Sequence, residues 1–193
     1  MAENPHIQPA ETLMTHGRIR LRTLVLIRWI AIAGQAMALL VVRYGMEFEF
    51  PLGPALAAVG AAALVNLALI IRRQHRRRLG DGEAAAYLAF DIAQLTALLY
   101  LTGGLSNPFA FLLLAPVTVS ATILSLRSTL GLCVLSLACI TVLAFWHLPL
   151  PWNAEKLSFP VVFIIGVWMA LVVGILFFTT YTWRVAEEAR RLS

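Results

Sequence analysis

The residues of this chain best suited to chemistry are Gly103, Gly104, Asn107, Pro108 and Phe109, in the run Gly-Gly-Leu-Ser-Asn-Pro-Phe, and the chemistry they suit is binding. Two adjacent glycines take positive φ without a Cβ clash, which ends a helix and leaves backbone groups open to a close approach. Asn107 suits a helix N-cap. Pro108 suits the first helical position, because proline has no N–H to leave unpaired and its φ is already helical. Phe109 then offers an aromatic face that can stack on a flat ring or anchor at a lipid interface. On residue types alone, the run reads equally well as a ligand loop or as a capped helix-turn-helix.

A second set, Arg28, Asn66, Asp91 and Gln94, interrupts otherwise apolar stretches. A lone Asp in hydrocarbon costs roughly 2.5 to 3.5 kcal/mol unless it is protonated or paired. Arg28 lies six residues from Arg22 and Asp91 eight from Glu83, or about 9 Å and about 12 Å along their helices. Asn66 precedes Arg72 by six residues and falls near the same depth, and Gln94 sits about one turn above Asp91 on one helical face. The spacing predicts a polar layer in which Arg28 pairs with Asp91, relayed by Asn66 or Gln94. The alternative is an Arg28 that snorkels to the interface over a neutral Asp91.

No catalytic residues emerge. His6, His16, His75 and His147 lack partners at metal-ligand or haem-ligand spacing, so no metal, haem or flavin is expected. Neither a Gly-x-Ser-x-Gly nucleophile nor a paired-His metalloprotease motif is present. Cys133 and Cys139 lie six residues apart in one apolar stretch, about 120° apart around a helix, and read as buried structural thiols.

These residues need elements to hold them. With 60% hydrophobic and 13% charged residues and a mean hydropathy of +0.82, the chain exceeds what a soluble core of this size can hide. It reads as an all-α integral membrane protein, a six-transmembrane-helix bundle with short loops. Six apolar stretches, 24–42, 52–71, 84–101, 109–126, 130–146 and 160–181, are each long enough to cross a hydrocarbon core of about 30 Å. With the N-terminus inside, thirteen of the fifteen basic residues fall on one side, leaving only Arg43 and Lys156 opposite. That bias puts both termini in the cytoplasm. It also makes the Arg72 to Arg78 run a topology anchor and not a nucleic-acid site. Residues 1–20 read as a disordered cytoplasmic tail without a cleavable signal, residues 21–182 as the membrane domain, and 183–193 as a helix leaving the membrane. There Glu187 and Arg191 form an i,i+4 pair. Pro116 should free the carbonyl of Leu112 and bend the fourth span. No long internal repeat supports a transporter built from inverted halves.

The heptapeptide 103–109 resembles the GGxxNPF motif of the RegB/PrrB (ActS, RoxS) family of redox-responding sensor histidine kinases, which lies between the third and fourth of six membrane helices. Arg28-Trp29-Ile30-Ala31 with Gly34-Gln35, and Asp91, Gln94 and Leu95 leading to Leu99-Tyr100-Leu101-Thr102, are similar to that family's first and third helices. The likeness extends over about 20–191. It implies a ubiquinone-sensing input module of the bacterial inner membrane, with Gly103, Gly104, Asn107, Pro108 and Phe109 at the quinone and backbone N–H groups near Gly104 and the Asn107 side chain as donors. It further implies a homodimer and, through a kinase region, a response regulator as partner. The phospho-accepting His, the ATP lid and the family's redox-active Cys are not in this sequence. The resemblance therefore predicts that the chain is a fragment of a longer kinase. The competing class is a small multi-span transporter or a membrane-embedded scaffold without ligand sensing.

Overall fold

The computed structural model describes residues 25–75, 80–152, 155–157 and 159–191. The expected tail, 1–20, and Arg76, Arg77 and Arg78 lie outside the described residues. Among the described residues six helices of ten residues or more follow one another: α1 (Val25–Gly45), α2 (Leu52–His75), α3 (Asp81–Leu101), α4 (Leu114–Ile123), α5 (Leu126–Phe145) and α6 (Val161–Arg191). All but α4 are long and apolar enough to cross a membrane. The fold is the all-α bundle the hydropathy predicts. Its one departure among the described residues is a small ribbon on the outer side, β1 (Leu150–Trp152) antiparallel to β2 (Glu155–Leu157), with Leu150 opposite Leu157.

The fourth span differs from the expected 109–126. Its first part, Pro108–Leu113, is a 3-10 helix, and α4 proper ends at Ile123. Because 3-10 winding rises about 2.0 Å per residue against about 1.5 Å in an α-helix, the sixteen residues Pro108–Ile123 still reach about 27 Å, close to the hydrocarbon thickness. Pro116 supplies the cause: it cannot donate to the Leu112 carbonyl, so the α-type ladder has a gap where the tighter winding ends.

The fifth helix starts four residues before the expected 130, which puts Arg127 in its first turn and not in a loop. Ser125 is its N-cap, with Oγ accepting from Ser128 N at 3.3 Å. Asp81, the first residue of α3, holds that cap from across the bundle. Its carboxylate accepts from Ser125 N and Ser125 Oγ, both at 2.7 Å, and from Ser128 Oγ. One anion thus faces two helix N-termini, where the exposed N–H dipoles favour it.

Two apolar clusters build the interior. The larger joins α3, α4, α5 and α6 around Ile92, Leu113, Ile140, Leu143, Leu171 and Ile175. The smaller joins α1, α2 and α3 through Leu39, Val59 and Leu98, with Phe48 and Phe50 folded in from the α1–α2 connection. Large exposed apolar side chains such as Ile30, Met37, Val162 and Phe177 are what a lipid-facing surface requires. Lipid is as apolar as leucine, so polar contacts and close fits fix the helices relative to one another.

Candidate functional site

The outer turn is built from its glycines upward. Gly103 has φ 108° and Gly104 φ 57°, left-handed values that a side chain would strain. Gly104 has a second constraint, since a Cβ there would collide with the ring of His147. The close approach expected at this pair is therefore made by the chain itself. His147 lies just beyond α5, and its neighbour Leu148 donates from N to the carbonyl of Tyr100 at 2.8 Å. The end of α5 is thereby closed over the end of α3.

Asn107 caps the next helix. Its Oδ1 accepts from Phe109 N at 2.9 Å, while Nδ2 donates to the carbonyl and to Oγ1 of Thr102 at 3.1 and 2.8 Å. Thr102 Oγ1 donates in turn to Leu98 O at 2.7 Å. An amide nitrogen carries two hydrogens, and both are committed within the turn. In this structure the Asn107 side chain holds the turn shut through Thr102. Pro108 takes the first helical position and Phe109 remains 46% exposed.

Deeper in the bundle, Arg28 Nη2 donates to Asp91 Oδ1 at 2.8 Å, joining α1 to α3. The guanidinium lies over the ring of Tyr87, 5.5 Å from its centroid, a cation–π arrangement. Neither Asn66 nor Gln94 relays this pair. Asn66 Nδ2 reaches the carbonyl of Val25 at 3.5 Å and fastens α2 to the start of α1. Gln94 Nε2 donates to Gln35 Oε1 at 3.0 Å. Gln35 was not among the residues expected in the layer. The signal was available: it lies seven residues from Arg28, two turns along the same face of α1, as Gln94 lies nearly one turn from Asp91.

Ser106 to Phe109 of the turn, and Arg28, Gln35, Asp91 and Gln94 of the deeper region, line one cavity of about 650 Å³ between α1, α3, the fourth span and the α1–α2 connection, whereas Gly103, Gly104 and Asn66 are not on its wall. Arg28, Gln35, Asp91 and Gln94 stand at its inner end, and Thr102, Ser106 and Asn107 at its outer end. Along α3 the two ends are about 16 Å apart. The wall between them is apolar, with Leu95, Leu98 and Leu112 prominent and Phe109 near the turn. An apolar slot with a few placed polar groups and a volume between about 300 and 1,000 Å³ is the usual form of a small-molecule site. No cluster of metal-ligating side chains occurs among the described residues.

Comparison with known proteins places this architecture. Residues 16–193 match the PilS-like transmembrane domain family. The chain is 44% identical over 175 residues to a protein named sensor histidine kinase RegB from Cereibacter sphaeroides, an alignment covering 90% of this chain and 38% of that protein. A second sensor histidine kinase RegB, from a named strain of the same organism, is 45% identical over 176 residues, covering 91% of this chain and 38% of the relative. The chain thus spans under two fifths of the length of these relatives. No solved structure matches it significantly. Its helices, its short connections and its match over residues 16–193 lead to one conclusion: the chain belongs to the PilS-like transmembrane domain family, as a multi-span domain of the bacterial inner membrane.

Proposed function

We propose that this domain is the input module of a redox-responding sensor histidine kinase and that its cavity binds ubiquinone beneath the Gly-Gly-Leu-Ser-Asn-Pro-Phe turn. The observation that carries the reading is that the last four residues of that heptapeptide, Ser106 to Phe109, line an apolar cavity that has polar groups at both ends. A quinone needs that combination: a slot for its ring and tail, and hydrogen-bond donors for its carbonyls. The likeness to sensor histidine kinases adds the output, with a dimeric kinase and a response regulator as the partners it implies.

The fourth span is the natural transmitter. Leu112, Pro116 and Val119 face the cavity, while Leu113, Val117 and Ala121 are buried on the opposite side. Leu114 packs on α6 at Gly174, where an added Cβ would come within 3.3 Å of its Cδ2. An occupant that displaces this helix displaces α6, which runs unbroken to Arg191. Ligand binding shifts such an equilibrium only by its differential affinity for the two states, and a tenfold preference amounts to about 1.4 kcal/mol.

The test is a titration of the purified chain in lipid nanodiscs with a short-tailed ubiquinone, oxidised and reduced. Saturable binding is expected, weakened about tenfold or more, or about 1.4 kcal/mol, by Asn107→Ala combined with Phe109→Ala. Absence of saturable binding by the wild type in both redox states would remove the quinone assignment.

A further inference from the structure

The two polar ends of the cavity differ in how far the fold consumes their donors. At the outer end, Asn107 Nδ2 donates twice to Thr102, and the Thr102 hydroxyl donates to Leu98. At the inner end donors remain. Arg28 is 5% exposed and lines the cavity. A guanidinium carries five N–H donors. Nη2 bonds Asp91, whereas Nη1 is buried without a hydrogen-bond partner among the described residues. Gln94, 8% exposed on the same wall, gives a hydrogen to Gln35 Oε1, and its amide holds a second hydrogen.

An unsatisfied donor away from water is costly, and more so on a charged group. An acceptor oxygen brought against the buried Nη1 by a small shift of the Arg28 side chain would relieve that cost, whereas at the turn it would meet the Ser106 hydroxyl but would have to break the bonds of Asn107 to use its amide.

We propose that the inner end is the head-group subsite: a carbonyl oxygen of the bound quinone accepts from the guanidinium of Arg28 and the amide of Gln94, roughly mid-membrane. This rests on the reading of the cavity as a quinone site and deepens it by naming the donors and the depth. Asp91 and Gln35 act as positioning residues, aiming Arg28 and Gln94 from α3 and α1. The head group then bridges α1 and α3, and the heptapeptide closes the outer end over the rest of the molecule.

The experiment is photolabelling of the full 193-residue chain in nanodiscs with a ubiquinone carrying an azide on its ring, competed by unlabelled ubiquinone and mapped by mass spectrometry. Competable label on 28–38 or 91–95 supports the proposal. Two variants accompany it. Arg28→Met with Asp91→Leu removes both charges together, so neither is stranded, and labelling should fall about tenfold or more, or about 1.4 kcal/mol. Gln94→Leu leaves the ion pair in place and should lower affinity severalfold; it carries the test if the double variant fails to fold. Label confined to 102–112, or Gln94→Leu labelled like the wild type, would overturn the subsite while the quinone assignment stood. Wild-type label that unlabelled ubiquinone does not compete would bring down both.

Discussion

Gly104 shows how one residue can satisfy two demands that look alike in a sequence. Its φ of 57° requires a glycine for backbone reasons, and the ring of His147 occupies the space a Cβ would need. Gly104→Ala should therefore lower the unfolding free energy in detergent by more than the roughly 1 to 2 kcal/mol of a left-handed alanine alone. Adding His147→Gly, which removes the Cβ as well as the ring from that space, should recover the excess and leave the backbone part; a double variant no more stable than the single one would show that His147 exerts no pressure there. The glycine pair announced the positive φ directly. The ring against it was not legible, because His147 is 43 positions away and local spacing carries no information about which distant residue closes on a turn. Asn107 is the complementary case. Asn-Pro marked the cap, but the Thr102 contacts that commit its amide depend on how tightly the turn folds back, which residue types do not state.

Helices α1 and α3 are joined by an ion pair and an amide pair. Breaking a buried pair from one side strands the other charge, whereas removing both is tolerated far better. Arg28→Met or Asp91→Leu alone should each destabilise the domain by about 3 kcal/mol or more, and the double variant should cost less than the sum of the two. A thermodynamic cycle in detergent unfolding checks this, and zero coupling would mean the pair does not hold the helices together. Depth arithmetic brought Arg28 and Asp91 to one level because both were counted from the same membrane face. It misassigned Asn66 and Gln94 as relays because depth says nothing of rotation, and rotation decides which neighbour a side chain meets. Helix ends were legible only where the cap was local. The start of α5 was missed since its cap is completed by Asp81, an element away. The fourth span was misjudged because its 3-10 segment changes the rise per residue.

For the molecule as a whole, apolar lengths and the arginine bias were the most legible features, as the membrane imposes them on every span independently of packing. The orientation they give is directly testable. With Cys133 and Cys139 replaced by alanine, a single cysteine at Arg127 should be labelled by an impermeant thiol reagent only after the cytoplasmic side is opened, and one at Gly53 without opening. The reverse pattern would invert the topology. The grouping of helices into two clusters was not legible, since the spans are nearly uniform in composition and their partners are set by fit. The last helix repays a mechanical view. At 31 residues it is about 46 Å long and exceeds the hydrocarbon core by about 16 Å. Such a rod is a lever with its long arm across the bilayer. A tilt of about 5° at its outer end sweeps its inner tip through about 4 Å, so a rearrangement of a fraction of a side chain beside the cavity is geared up to nearly the spacing between adjacent strands or helix turns. The gearing depends on stiffness: a Gly-Gly hinge placed at Thr180 and Tyr181 would uncouple tip from cavity without touching either.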